Sequence, residues 1–202
     1  RHGESVSNIK NITSSKGEDH HLTLKGRKQV EAAAQKLKKK KIDMIVFSPI
    51  LRARETAEIM AKALGVPRQE ESRLAEINVG AFDGRAVKEY HAYFSSMEER
   101  FTKRPPSSAV PTGSKPEGEH LGDVRARVLA WTREMERKYQ GKIILAISHE
   151  CPLWMILAGG RGLTNGQTIA LRTGKRKNEF IGLAEVMPAV YTALPRDETG
   201  EI

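Results

Sequence analysis

Ile143-Ile144-Leu145-Ala146-Ile147-Ser148-His149 is the stretch that decides the fold. The run is apolar without interruption, rich in β-branched residues, preceded by turn-forming Gly141 and too short for a buried helix. It therefore reads as a buried strand over 143–148, with a histidine placed just beyond its C-terminal end. A second run of the same character spans 42–48 and ends on Ser48, immediately before Pro49.

Working outward, helical patterns alternate with these strands. Residues 23–40 carry an amphipathic pattern with Thr23 as N-cap, and 51–64 form a helix opened by Pro49 and stopped by Gly65 and Pro67. Further helices are expected over 86–101, 119–139 and 152–158, the last ended by Gly159 and Gly160, and a final strand over 180–187. The Pro- and Ser-rich segment 104–118 is expected to be an extended loop walling a substrate site. Strands alternating with helices predict an α/β fold, three layers deep, with a largely parallel central sheet. Ligands in such folds bind beyond the strand C-termini, so Arg52 and His149 should share one edge.

Composition narrows the function classes. The 202 residues suit a single domain, and no apolar run approaches the length that spans a bilayer. The single cysteine, Cys151, excludes an internal disulfide framework and fits a reducing compartment, the cytoplasm being the expectation. A net charge of +9 favours anionic ligands. The basic clusters at Lys36–Lys41 and around Arg172–Lys177 are not interleaved with aromatics, which argues against nucleic acid as partner of this domain. The first cluster reads as the solvated C-terminal end of a helix.

The remaining polar signals fit one chemistry. Arg1-His2-Gly3-Glu4-Ser5 with Asn8, Ser48-Pro49-Ile50-Leu51-Arg52, Glu76 and Ser148-His149 supply two histidines, two arginines and a carboxylate. Phosphoryl transfer to imidazole needs a neutral ring nitrogen, cations for the non-bridging oxygens and an acid for the departing alkoxide. Guanidinium matches phosphate oxygens and keeps its charge. Glu71 and Glu119 stand as alternative carboxylates, Arg52 could instead serve a surface ion pair, and Asn8 could be a turn or cap residue. Cys151 reads as packing, and the adjacent His20-His21 pair lacks metal-site spacing, so neither metal nor cofactor is expected.

These blocks resemble, in order, the signatures of the histidine phosphatase superfamily, the phosphoglycerate-mutase-like fold. Arg1-His2-Gly3-Glu4-Ser5 with Asn8 resembles its RHGE[ST]xxN motif, and Asp19, Leu22, Thr23 and Gly26 its D-x-x-LTxxG segment. Residues 48–57 resemble SPLxRAxxTA, and Leu74, Glu76, Gly80 and Gly84 resemble LxExxxGxxxG, with Phe82 where tryptophan is common. Pro116-Glu117-Gly118-Glu119 resembles the PxGE loop.

The resemblance implies a metal-independent phosphomonoester hydrolase working on a small phosphorylated substrate. His2 would be the phosphorylated nucleophile, Glu76 the proton donor, and Arg1, Asn8, Arg52 and His149 the phosphate ligands. The chain departs from the family in having Glu150, where glycine is usual, directly after His149.

Two alternatives stand beside that reading. One is a mutase of the same fold, although mutases of the family usually carry a longer segment after the Glu76 block. The other is an accessory domain of a larger enzyme, since the last nine residues also resemble a segment of isoleucyl-type class I aminoacyl-tRNA synthetases. Because a strand should precede Arg1, the single domain over 1–202 is expected to be truncated at its N-terminus.

Overall fold

The computed structural model describes residues 1–16, 20–103, 118–173 and 181–189. Its centre is a parallel sheet of β1 (Met44–Phe47), β2 (Arg68–Glu70) and β3 (Ile144–Ile147) in the order β2-β1-β3. Around it lie α1 (Val6–Lys10), α2 (Leu24–Leu37), α3 (Leu51–Leu64), α4 (Val87–Lys103), α5 (Leu121–Lys138), α6 (Glu150–Gly160) and α7 (Asn165–Thr173).

Strand alternation sorts the core into two layers. Ile45, Phe47, Leu145 and Ile147 pack beneath α2 and α3 with Val30, Ala34, Ala53, Ala57 and Met60. Val46, joined by Met44, Ile144 and Ala146, faces Val124, Val128 and Trp131 of α5 and Trp154, Met155 and Ile156 of α6. Both sheet faces are covered, which explains why β1 and β3 read as continuous apolar runs.

The helix signals act as read. The Thr23 hydroxyl accepts the Gly26 N–H at 2.9 Å at the start of α2. Gly65 ends α3 in the left-handed region at φ 69°, where a Cβ would be strained.

Three features lie outside the sequence reading: α1, α7 and β2. β2 is fully exposed and its residues are Arg68, Gln69 and Glu70, so it carries no apolar pattern. Backbone pairing to β1 alone makes it a strand.

One expectation is overturned. Among the described residues of 180–187 there is no strand; Ile181 is a bend, and Gly182–Glu185 close a turn through Glu185 N–H to the Gly182 carbonyl at 3.1 Å. The described backbone beside this segment is that of Arg1 and His2. Ala184 N–H donates to the His2 carbonyl (2.9 Å) and the Arg1 amine to the Glu185 carbonyl (3.0 Å). The segment closes on itself through that turn instead of pairing as a strand. The loop expected over 104–118 lies outside the described residues except Gly118, as do Asp19 and the last nine residues.

Tight packing fixes the Arg1–Glu4 segment against α2. A Cβ built on Gly26 would lie 2.0 Å from the Glu4 carbonyl oxygen, and one on Gly3 would lie 2.6 Å from the Gly26 carbonyl oxygen. Neither obstacle is a flexible side-chain end. Gly26→Ala is therefore expected to destabilise the fold by about 2–3 kcal/mol, checked by urea unfolding. A loss below ~0.5 kcal/mol would show that the two backbones can part freely.

Candidate functional site

The sheet brings the motif residues to one edge. β1 and β3 run parallel with Phe47 opposite Ile147, so Ser48 and Ser148 emerge side by side at the strand C-termini. His2 N–H donates to the Ser148 carbonyl at 3.1 Å, seating Arg1 and His2 along the free side of β3. Gly3 N–H donates to the Thr56 hydroxyl (3.2 Å), and that hydroxyl donates to the Arg52 carbonyl (2.7 Å), tying the segment to α3.

His2 is buried and its tautomer is set. Nδ1–H donates to the Gly3 carbonyl at 2.7 Å, leaving Nε2 with its lone pair, to which Arg52 Nε–H donates at 3.0 Å. Burial, followed by the Arg52 and Arg1 cations, holds the imidazole well below its usual pKa, so it is neutral near pH 7. His149 lies with its ring centroid 5.1 Å from that of His2, fully buried and neutral for the same reasons. Ser48 Oγ accepts Ile50 N–H (3.3 Å) and is hydrogen-bonded to His149 Nε2 at 2.8 Å. His149 Nδ1 is a buried polar atom with no protein hydrogen-bond partner.

Arg52, almost wholly buried on the first turn of α3, is aimed by Ser14: Nη2–H reaches its carbonyl at 2.9 Å and Nη1–H its hydroxyl at 3.3 Å. Burial lowers the guanidinium to about 10, which leaves it charged. Ser14 was not singled out from sequence. Its hydroxyl also meets His20 Nδ1 at 2.8 Å, whereas His21 Nδ1 meets Glu55 at 2.8 Å, so the two adjacent histidines serve separate loops.

Arg1 Nη1 donates to the Ile181 carbonyl (2.9 Å) and pairs with Glu150 at 3.1 Å. Asn8 shows its cap role: its Oδ1 accepts from Ser5 N–H (2.9 Å) and the Ser5 hydroxyl (2.8 Å) at the start of α1.

Of the three candidate carboxylates, two are committed elsewhere. Glu71 is held by Arg73 at 2.8 Å. Glu119 accepts from Asn78 N–H and Arg127 Nε–H, both at 2.8 Å, and with Arg127 Nη2–H to the Glu76 carbonyl (3.3 Å) it braces the loop that carries Glu76. Glu76 accepts Ile77 N–H at 2.9 Å, and desolvation raises its carboxyl above the usual range despite the pull of Arg52 and Arg1.

Arg1, His2, Asn8, Arg52 and Glu76 share the wall of a cleft of about 720 Å³, with His149 packed behind His2. Ile12, Val79, Tyr90, Phe94 and Trp154 line its apolar side. The arrangement places a neutral imidazole lone pair beside fixed guanidinium groups and a protonatable carboxyl. A tetrahedral oxyanion would find its charge matched at one end of the cleft and apolar walls at the other.

A family model for the histidine phosphatase superfamily, branch 1, matches residues 1–176. The chain belongs to this superfamily. A probable phosphoglycerate mutase, GpmB of Escherichia coli O139:H28, is 32% identical over 163 residues, covering 81% of this chain and 73% of the relative.

Among solved structures, YhfR of Bacillus stearothermophilus shares the fold at a TM-score of 0.71 and 22% identity, covering 100% of this chain and 95% of its own. A mycobacterial glucosyl-3-phosphoglycerate phosphatase in complex with VO3 superposes at 0.70 with 23% identity, covering 91% and 85%. The superfamily thus joins phosphatases and mutase-like proteins, and its three-layer α/β architecture is the one expected from sequence. No helix among the described residues is long and apolar enough to cross a membrane.

Proposed function

We propose that the chain is a phosphomonoester hydrolase that works through a phosphohistidine on His2 and needs no metal. The observation that carries this reading is the state of His2. Nδ1–H is spent on the Gly3 carbonyl, so Nε2 holds a lone pair while burial and then the nearby cations keep the ring neutral. A dianionic phosphoryl group draws the Arg52 guanidinium onto its oxygens and frees that lone pair. Arg1, His149 and Asn8 complete the oxygen ligands.

Nε2 then attacks phosphorus; the P–N bond forms as the ester P–O bond breaks, and the alkoxide takes the Glu76 proton. In the second half, water attacks the phosphohistidine, Glu76 accepts its proton, and inorganic phosphate leaves. Two fixed guanidinium groups offset the phosphoryl charge that a metal would otherwise neutralise. A small monoester whose alcohol carries apolar surface suits the walls of the cleft.

The relationship to GpmB of Escherichia coli, named a probable phosphoglycerate mutase, keeps the mutase reading as the alternative. Product analysis separates them. With a panel of phosphate esters that includes 3-phosphoglycerate, stoichiometric release of inorganic phosphate is expected. Isomerisation of phosphoglycerate that requires a bisphosphate primer, with no phosphate released, would establish the mutase instead.

A further inference from the structure

Glu150 is the residue by which this chain departs from its family's pattern, and the structure gives that departure a consequence. The residue opens α6 directly after His149, and its carboxylate lines the cleft 3.1 Å from Arg1 Nη1, with both side chains largely buried. The other cleft carboxylates stand differently. Glu4 takes its charge partner from outside, Lys25 at 2.8 Å, and the Thr23 hydroxyl also at 2.8 Å, while Glu76 is poised to hold a proton.

Glu150 forms a direct ion pair with Arg1, a cation that faces the substrate. It also sits on the first turn of an eleven-residue helix, whose positive N-terminal end would otherwise favour an anion. One carboxylate therefore offsets two features that attract phosphate.

We infer that Glu150 is a specificity-determining residue of the phosphate site: by pairing with Arg1 it weakens the hold on free phosphate and so favours release of that product. The inference rests on the proposed phosphatase reading. Its physical content is a charge balance. The native site and one with residue 150 neutral differ by one unit of charge beside Arg1, the second being the more positive. A dianionic product is held more tightly by the second site than by the first.

A purely structural role predicts the opposite. If Glu150 served only to hold Arg1 in place, removing its charge would loosen the guanidinium and weaken phosphate binding.

Titration calorimetry of the whole chain with inorganic phosphate at fixed ionic strength separates the two. Glu150→Gln, which keeps shape and hydrogen bonding, is expected to bind phosphate about tenfold more tightly than the native protein. Glu150→Asp, which keeps the charge, should stay within about twofold of native. Circular dichroism establishes that the variants fold, and Glu150→Met, neutral and of similar length, repeats the test with the same tightening expected should the Gln variant not fold. Unchanged or weaker phosphate binding in Glu150→Gln would overturn the inference alone. A native protein that releases no phosphate from any ester of the panel would overturn the phosphatase reading and the inference with it.

Discussion

Turnover in His2→Ala is expected to fall by about 10⁴-fold or more against a chromogenic phosphate ester, to the level of uncatalysed hydrolysis or a little above it. The size of the effect follows from what His2 does. Without it no protein atom in the cleft is set to bond phosphorus, and the remaining guanidinium groups can only orient and polarise the ester.

The fold should survive the change. His2 is fully buried, but the hydrogen bonds that seat its segment, His2 N–H to Ser148 and Gly3 N–H to Thr56, are backbone donors that alanine retains. The side chain's removal frees the Arg52 Nε–H from Nε2. Phosphate binding to the variant should therefore persist while turnover is lost. Activity within tenfold of native would exclude His2 as the nucleophile.

Glu76→Gln should show a loss that depends on the leaving group. For alkyl phosphates, whose alkoxide needs a proton, kcat/KM is expected to drop about 10²- to 10⁴-fold. For p-nitrophenyl phosphate, whose phenolate leaves unaided, the loss of the first half-reaction should shrink to a small factor.

The pH profile carries the same signature. Desolvation raises the Glu76 carboxyl, so the native enzyme loses its general acid as pH rises through that raised value. This is the alkaline limb, and Glu76→Gln should abolish it. The acid limb belongs to His2, which must be neutral to attack; since its pKa is depressed, activity should hold until well below pH 6.5. An alkaline limb retained in Glu76→Gln, or equal losses on alkyl and p-nitrophenyl esters, would assign the acid elsewhere.

Legibility in the sequence followed how local each signal was. β3 was readable because both its faces are buried and its residues are apolar throughout; α3 was readable because Pro49 and Gly65 mark its ends. The rule that strand ends share an edge was enough to bring Arg52 to His149. β2 escaped because its three polar residues are strand only by pairing with β1.

α7 escaped although a signal exists. Thr164 N–H donates to Gln167 Oε1 (2.9 Å) and Gln167 N–H to the Thr164 hydroxyl (3.3 Å), a capping box spelled Thr164-Asn165-Gly166-Gln167 in the sequence. The strand expected over 180–187 gives way to a turn closed by Glu185 N–H to the Gly182 carbonyl, a bond that the apolar pattern does not encode. The site divides in the same way. Which of Glu71, Glu76 and Glu119 stays available depends on Arg73 and Arg127, and the Arg1–Glu150 pair joins residues far apart in the sequence. Ser14 and Thr56, which aim Arg52 and anchor Gly3, carry no motif that reveals what they will touch.

The central claim is that phosphorus becomes bonded to His2 during turnover. Rapid acid-free quenching with a substrate labelled in its phosphoryl group tests it directly. The expected result is protein-bound label that is stable to base, labile to acid, approaches one per chain, and maps to the peptide containing His2. Turnover with no trapped label at any quench time, or label confined to another residue, would contradict the account.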